Sequence, residues 1–240
     1  MKKNSYIFPF IYIGLILILF PIFILFFKYF SSKKEKEGFF IQENQNQNYN
    51  KKTIILLGDS ILNNRSYVAS GDSVEELLKK RTIDIIYNFA QDNATIQNVV
   101  QQINQLPEHL NNHNTTIFLS LGGNDIIHHF IKNSRNDLQS NSVLQSIFMK
   151  CESIVHIIRV KMNKSRLFLL DIYYPTNNSF QRYKPILQEW NRLLETINNG
   201  NIHILKISQY LTQRQDFTDN IEPSKIGGEK IANLILQSIA

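Results

Sequence analysis

Five short runs of apolar, mostly β-branched or aromatic residues recur along the chain and limit the folds that it can adopt. Within each run the apolar residues mostly follow one another without alternating polar residues, as in strands that are buried on both faces of a sheet. The runs lie at 53–57, 83–87, 116–121, 166–172 and 202–207. Stretches with helical periodicity separate them, at about 73–80, 94–105, 138–162, 180–198 and 224–239. Strands that alternate with helices predict an α/β domain, with a five-stranded parallel sheet covered by helices in a three-layer sandwich.

The N-terminal part of the chain differs sharply in composition from the rest. Residues 6–27 form an uncharged stretch rich in Ile, Leu and Phe, and about twenty apolar residues are needed to cross a bilayer. A cleaved signal peptide would have a shorter apolar core and small residues at its cleavage site, whereas bulky side chains fill residues 26–30. We therefore predict a single transmembrane helix as an N-terminal anchor over 1–30, with a signal peptide as the alternative.

A polar segment separates this anchor from the soluble part. Residues 31–52 combine a mixed charge run with a tract of Gln and Asn, a composition that cannot bury enough apolar area to fold by itself. We predict a flexible linker over 31–52 and one soluble domain over 53–240. Lysines flank the apolar stretch on both sides, so the side of the membrane on which the domain lies stays open.

Charge and cysteine content exclude several classes of function. The formal net charge is +6, but residues 1–37 hold six lysines against two glutamates, and the domain itself is nearly neutral. This distribution argues against a nucleic acid partner. Cys151 is the single cysteine, which excludes an intrachain disulfide and a cysteine-based zinc site. The six histidines lack the spacing of metal ligands, so we predict neither a metal nor a cofactor.

A candidate nucleophile follows the first apolar run. In Gly58-Asp59-Ser60, the glycine permits a tight turn that places Ser60 at the head of the sheet, with its backbone N–H available to a developing oxyanion. The same three letters recur at residues 71–73. There they precede a helical pattern, so that Ser73 or Asp72 is predicted to cap a helix.

A second polar cluster follows the third run. Gly122-Gly123-Asn124-Asp125 combines glycines that allow close backbone approach with an asparagine whose side-chain amide can donate to an oxyanion. The structural alternative is an Asx turn that closes the strand. Tyr173 follows the fourth run and is predicted either to line a substrate cleft or to pack at the strand end.

These residues together resemble the ordered sequence blocks of the SGNH (GDSL) hydrolase family, over about residues 50–240. The other matching blocks are Asn88-Phe89-Ala90 leading to Asn93-Ala94-Thr95, and Asp219-x-x-Glu222-Pro223-Ser224 followed by Gly227. The resemblance implies a flavodoxin-like sheet and the hydrolysis of carboxylic esters of lipids, acylated glycans or small acyl compounds. It also implies roles for single residues: Ser60 as nucleophile, the Ser60 N–H and the Asn124 side chain as oxyanion donors, Asp219 as the carboxylate of the last block, and Asp59 and Gly123 beside the cleft.

Two residues depart from the family pattern. Asn93 stands where the family places a glycine whose N–H completes the oxyanion hole; asparagine keeps that N–H and tolerates a left-handed backbone. Glu222 stands where the family has its catalytic histidine. An unperturbed glutamate is a weaker proton acceptor than histidine by about two pKa units, roughly 3 kcal/mol. Burial and the like charge of Asp219 can raise the pKa of Glu222.

Other histidines are less suitable as the base. His128 and His129 follow Asn124 closely but are predicted to lie on the surface at the start of a helix, and His203 lies within the fifth apolar run. The predicted function is therefore a membrane-anchored serine esterase with Ser60, Asp219 and Glu222 as catalytic residues. Two alternatives stay open: a catalytically silent binding module of the same fold, and an acyltransferase that uses the same serine.

Overall fold

The parallel sheet that the apolar runs predict is present, in the order β2-β1-β3-β4-β5. The structure is a computed structural model that describes residues 51–132 and 140–240, together with Lys28 and Lys33. The strands are β1 (Thr53–Leu57), β2 (Ile85–Asn88), β3 (Thr115–Leu119), β4 (Arg166–Leu170) and β5 (Ile202–Leu205). Strand order changes direction between β1 and β3, and ligands of such sheets bind beyond the carboxyl ends of the strands at this point.

Helices cover both faces of the sheet and complete three layers. They are α1 (Val74–Arg81), α2 (Ile96–Asn104), α3 (Gly123–Ile126), α4 (Ser140–Lys161), α5 (Asn178–Gln181), α6 (Lys184–Glu195) and α7 (Lys225–Ile239), and a π-helical segment (Ile127–Lys132) follows α3. Helices α2, α4 and α6 pack against Ile55 and Leu57 on one face. Helices α1 and α7 pack against Ile54 and Leu56 on the other. The α/β class, the five-stranded parallel sheet and the sandwich are thus confirmed.

The third, fourth and fifth apolar runs each extend two residues beyond the end of their strand. Two further differences from the predicted bounds have a local cause. The run at 83–87 enters the sheet only at Ile85, because the Asp84 side chain accepts hydrogen bonds from the Lys52 N–H and the Thr82 hydroxyl at 2.9 and 2.8 Å and forms a turn there. The helix predicted over 180–198 is divided into α5 and α6. Pro185 lies in the first turn of α6, where its missing N–H is tolerated and favours a new helix start.

The predicted N-terminal anchor and linker fall almost entirely outside the described residues. This holds for the apolar stretch at 6–27, for the anchor over 1–30 apart from Lys28, and for most of the linker over 31–52. Within the part of the chain that is described, no helix combines the length and apolar character needed to cross a bilayer.

Candidate active site

The candidate residues from three separate parts of the sequence meet in one cavity at the carboxyl edge of the sheet. We call it the Ser60 cavity. Its polar wall contains Asp59, Ser60, Gly123, Asn124 and Glu222. The remaining wall is largely apolar and is formed by Ile61, Ile126, Ile127, Ile172, Tyr173, Pro175, Phe180, Tyr183, Leu187 and Ile221. The cavity therefore offers reactive groups at one side and space for apolar substrate atoms at the other.

Backbone geometry at Gly58 places Ser60 at the head of the sheet. Gly58 has φ of +117°, and a Cβ atom there would lie 1.8 Å from the carbonyl oxygen of Ser120. Only glycine fits such a turn. The N–H groups of Leu62 and Asn63 then bond to the Asp59 carbonyl, and Ser60 retains only 6% of its exposure. Within the described residues the Ser60 N–H donates no hydrogen bond, so it is free to face an oxyanion.

Asp59 connects the serine turn to the neighbouring strand end. Its carboxylate accepts a hydrogen bond from the Ser120 hydroxyl at 2.7 Å and another from the Ile61 N–H at 3.1 Å. The Ser120 hydroxyl oxygen in turn accepts from the Asp59 N–H at 3.1 Å. Burial raises the pKa of Asp59 to about 6, although the bond from Ser120 lowers it. Asp59 thus joins the ends of β1 and β3 beneath the cavity.

Asn124 lines the same cavity as Ser60 and comes two residues after a left-handed glycine. Gly122 has φ of +93°, and a Cβ atom there would lie 2.2 Å from the Trp190 ring. The Asn124 side-chain amide donates one hydrogen bond to the Ala94 carbonyl at 2.9 Å. An amide nitrogen carries two protons, so this bond orients the group and leaves its second proton for a ligand in the cavity.

Asn93 has the backbone conformation that the glycine of the family pattern would provide. Its φ is +57°, the left-handed region that asparagine tolerates. Its side chain is exposed, and its N–H donates no bond within the described residues. The structure therefore leaves a backbone donor available at this position.

Glu222 reaches the cavity from a short hairpin near the C-terminus. Strands β6 (Phe217–Thr218) and β7 (Glu222–Pro223) pair antiparallel. Burial raises the pKa of Glu222 to about 7; a hydrogen bond from Ser60 lowers it, and the charges of Asp59, Asp92 and Asp219 raise it further. One carboxylate oxygen, Oε2, is buried without a hydrogen-bond partner among the described residues. Glu222 is thus a carboxylate with acceptor capacity to spare and a pKa close to neutral pH.

Contacts beneath the hairpin fix the position of Glu222. The fully buried Asn64 donates to the Pro223 carbonyl at 3.1 Å and accepts from the Val74 N–H, the first residue of α1, at 2.9 Å. The Tyr173 hydroxyl donates to the carbonyl of Ile221. Both residues that flank Glu222 are therefore bound through their backbone carbonyls.

Asp219 lies at the tip of the same hairpin. It is exposed, and both Asp219 and Asn220 have positive φ, of 42° and 70°. No hydrogen bond to its carboxylate is present among the described residues. Its charge acts on the pKa of Glu222, with an effect smaller than those of Asp59 and Asp92.

The family model of GDSL-like lipases and acylhydrolases matches residues 54–235. The chain belongs to this family. Membership makes the protein a serine esterase or acylhydrolase, and it confirms the family resemblance that the sequence blocks carry. No curated protein matches the sequence.

Solved structures with similar folds are also described as lipases or acylhydrolases. The crystal structure of the lipase Lip_vut3 from a goat rumen metagenome has a TM-score of 0.66 at 15% identity, covering 79% of this chain and 98% of its own. A G-D-S-L family lipolytic protein from Veillonella parvula has a TM-score of 0.60 at 17% identity, with coverages of 78% and 97%. A lipase/acylhydrolase from Enterococcus faecalis has a TM-score of 0.56 at 15% identity, with coverages of 78% and 95%. At these identities the likeness establishes a shared fold.

The histidines of this GDSL-like hydrolase do not line the Ser60 cavity. His128 lies in the π-helical segment and is exposed, as predicted, whereas the neighbouring His129 is half-buried. His203 lies in β5, where its ring packs at 5.0 Å from that of Phe168. Asp59 and Glu222 are the carboxylic acids that line this cavity together with Ser60.

Local contacts show the roles of three other residues that the sequence singled out, Ser73, Cys151 and Tyr173. Ser73 caps α1 in a reciprocal capping box with Glu76, so the second Gly-Asp-Ser is structural, as predicted. Cys151 is fully buried in the core. Tyr173 lines the cavity, next to Glu222. Among the residues that the structure describes, no group of three or more His, Cys, Asp or Glu side chains is placed to bind a metal.

Three polar residues that support the site were missed in the sequence. Gln102, Asn64 and Ser120 are all buried, with exposures of at most 1%. Gln102 is a polar residue beside the apolar stripe of α2, and this break in the helical pattern is a signal that could have identified it. Asn64 and Ser120 follow strands without any distinguishing pattern.

Proposed function

We propose that this protein is a membrane-anchored esterase in which Ser60 attacks a carboxylic ester and Glu222 takes the place of the catalytic histidine. The observation that carries the proposal is the pairing of Ser60 with Glu222 in one cavity. Both residues line this cavity, and burial raises the pKa of Glu222 to about 7. A general base is most effective when its pKa lies near the working pH.

In the first half of the reaction, the Ser60 Oγ attacks the acyl carbon while Glu222 accepts the hydroxyl proton. The buried Oε2 atom has no hydrogen-bond partner among the described residues, so it can receive that proton. The tetrahedral intermediate collapses when the C–O bond to the alcohol breaks, and the protonated Glu222 returns the proton to the departing oxygen. The products are the free alcohol and an acyl group on Ser60.

In the second half, water attacks the acyl group of Ser60. Glu222 removes a proton from this water and later returns it to the Ser60 Oγ as the acid leaves. The same carboxyl group acts as base and then as acid in each half, which requires a pKa near neutrality. Asp219 contributes through its negative charge, which raises the affinity of Glu222 for a proton.

The proposed donors to the developing oxyanion are the N–H groups of Ser60 and Asn93 and the free proton of the Asn124 amide. Ser60 and Asn124 line the Ser60 cavity, whereas Asn93 is not part of its lining. Donors that are fixed before the reaction stabilise the transition state more than the ground state. This arrangement supports acyl transfer from a carboxylic ester.

The cavity and the N-terminal sequence both bear on the substrate. The wall opposite the reactive groups is apolar, with Phe180, Tyr183 and Leu187 among its residues, and it suits the acyl chain of an ester. The uncharged stretch at 6–27 is long enough to span a bilayer and would keep the enzyme at a membrane. We therefore assign the substrate to acyl esters of lipids, glycans or small molecules near a membrane surface.

The experiment that tests this function compares the two Gly-Asp-Ser serines in the full-length protein in detergent. Wild type should release the chromophore from p-nitrophenyl butyrate and should be labelled by a fluorophosphonate probe. Ser60→Ala should lose both signals, whereas Ser73→Ala, which removes a helix cap, should retain them. Equal turnover by wild type and Ser60→Ala would contradict the proposal, and absence of labelling would favour the binding-module alternative.

A further inference from the structure

The nucleophile turn begins where strand pairing ends. The last ladder bonds of β1 include those from the Phe89 N–H to the Leu56 carbonyl at 2.9 Å and from the Ser120 N–H to the Leu57 carbonyl at 3.0 Å. Beyond them, the Gly58 N–H donates to no backbone carbonyl of the described residues. A buried backbone N–H without a partner is costly, so another group has to bind it.

That group is the side chain of Gln102 on helix α2. Its Oε1 accepts from the Gly58 N–H at 2.7 Å, and its Nε2 donates to the Gly58 carbonyl at 2.8 Å. Gln102 has no solvent exposure. The side-chain amide thus binds Gly58 through one donor and one acceptor, as the peptide group of an adjacent strand would. The Gly58 carbonyl also accepts from the Gln91 N–H at 2.9 Å, but Gln102 is the partner that binds both the N–H and the carbonyl of this residue, two positions before Ser60.

The other end of α2 is bound to helix α3, which carries Asn124. The Asp125 carboxylate accepts from the Ile96 N–H, at the first residue of α2, at 2.9 Å. The Asn124 amide donates to the Ala94 carbonyl, just before the helix, at 2.9 Å. Asn93 directly precedes this segment. One helix therefore contacts the turn of the nucleophile at one end and the candidate oxyanion donors at the other.

We propose that Gln102 is a positioning residue for Ser60, and that helix α2 fixes the distance between the nucleophile turn and the oxyanion donors. Gln102 touches neither substrate nor reacting atoms; it acts by holding the backbone of Gly58. The proposal rests on the role of Ser60 as nucleophile given above. It predicts that loss of the two Gln102 bonds lowers the rate of acyl transfer and leaves substrate binding nearly unchanged, because the apolar wall of the cavity does not depend on Gly58.

The first test is Gln102→Met in the full-length protein in detergent, with Gln101→Met as the matched control. Gln101 is the exposed neighbour on the same helix. The readouts are kcat and KM for p-nitrophenyl butyrate, the rate of fluorophosphonate labelling, and near-UV circular dichroism to confirm folding. We expect kcat of Gln102→Met to fall about 100-fold, the size of effect that a misplacement of about 1 Å produces, with KM within about threefold of wild type. Gln101→Met should equal wild type.

The second test, Gln102→Glu, applies even if the methionine variant does not fold. A protonated glutamate can keep both bonds, since its hydroxyl donates to the Gly58 carbonyl and its carbonyl accepts from the Gly58 N–H. An ionised glutamate places negative charge against the Gly58 carbonyl. The kcat of Gln102→Glu relative to wild type should therefore fall as the pH rises from 6 to 9, and dividing by wild type removes the titration of Glu222.

Two results would overturn the inference alone: a folded Gln102→Met with kcat within threefold of wild type, or a Gln102→Glu ratio that is constant with pH, in a protein whose wild type is labelled at Ser60. A variant that only loses stability would have a lower melting temperature, and its kcat would not fall selectively at constant KM; that result would also contradict the inference. A wild type that the probe does not label contradicts the proposed function itself, and the role of Gln102 is lost with it.

Discussion

The two sides of the Ser60 cavity differ in how firmly the fold holds them. The serine side lies on the buried central strands β1 and β3, and Asp59, Ser120 and Gln102 bind its turns with short hydrogen bonds. The glutamate side is a hairpin of two two-residue strands with an exposed tip in left-handed conformation. The sheet thus fixes the turn that carries Ser60, the proposed nucleophile. Glu222, the proposed base, depends on burial for its raised pKa.

The largest effect should come from the serine side. Removal of the nucleophile in a comparable serine hydrolase lowers kcat by about 10⁶-fold, and we expect Ser60→Ala to reduce ester turnover by at least about 10⁴-fold. Steady-state hydrolysis of p-nitrophenyl butyrate measures this. Residual turnover within tenfold of wild type would show that Ser60 is not the nucleophile of the reaction.

The next effect concerns the base. Glu222→Gln keeps the shape of the side chain but cannot accept the proton of Ser60, and general base catalysis contributes about 10²–10⁴-fold. We expect kcat/KM to fall about 10³-fold at pH 8. Glu222→His is the matched variant, because it restores the residue of the family pattern and should recover activity. A Glu222→Gln enzyme as active as wild type would show that the hairpin does not supply the base.

Loss of one oxyanion donor should have a smaller effect. Asn124→Ala removes a side-chain donor, and removal of such a donor costs about 2.7–4 kcal/mol of transition-state stabilisation in other hydrolases. We expect kcat to fall about 10²–10³-fold with KM nearly unchanged. A rise in KM at constant kcat would instead assign Asn124 to uniform substrate binding.

Stability should change in the opposite direction to activity at Glu222. The pKa of this group is raised from 4.5 in the unfolded chain to about 7 in the folded protein. The folded state therefore binds the proton more tightly, and the stability contribution of Glu222 falls as pH rises from about 4.5 through 7. At pH 8 the penalty is fully present, so Glu222→Gln should be more stable by about 1–2 kcal/mol after allowance for partial exposure. Denaturant unfolding at pH 4 and pH 8 should show this gain at pH 8 alone.

The smallest effect is expected at the hairpin tip. Asp219 is exposed and acts on Glu222 through its charge, and such interactions are weak and screened by salt. Asp219→Asn should change kcat/KM by no more than about threefold and should shift the pH profile slightly to lower pH. A loss of 10³-fold would contradict this and would show that Asp219 acts on the reaction by more than its charge.

Much of the fold was predictable from the apolar runs because buried parallel strands have a distinctive composition. The bounds of β1 and α7 agree closely with the pattern. The break between α5 and α6 was not predicted, although Pro185 marks it. The shortened start of β2 depends on the hydrogen bonds of the Asp84 side chain, which periodicity does not show.

The candidate site was predictable where a residue follows a strand directly. Ser60 and Asn124 follow the carboxyl ends of β1 and β3 by three and five residues, and parallel topology brings such ends together. The supporting residues were harder to predict from the sequence. The role of Asn64, for example, depends on its contact with Pro223, 159 positions away in the sequence. The pKa of Glu222 depends on burial and on Asp59 and Asp92, and these distances exist only in the folded protein.

The pH dependence of serine labelling tests the central claim most directly. The second-order rate of fluorophosphonate labelling of full-length protein should be measured from pH 5 to 9 for wild type and Glu222→Gln. If Glu222 is the base, the wild-type rate rises with pH and reaches half its maximum near pH 7, whereas the variant is slow and lacks that inflection. Identical profiles for the two proteins would contradict the assignment of Glu222 as the base that activates Ser60.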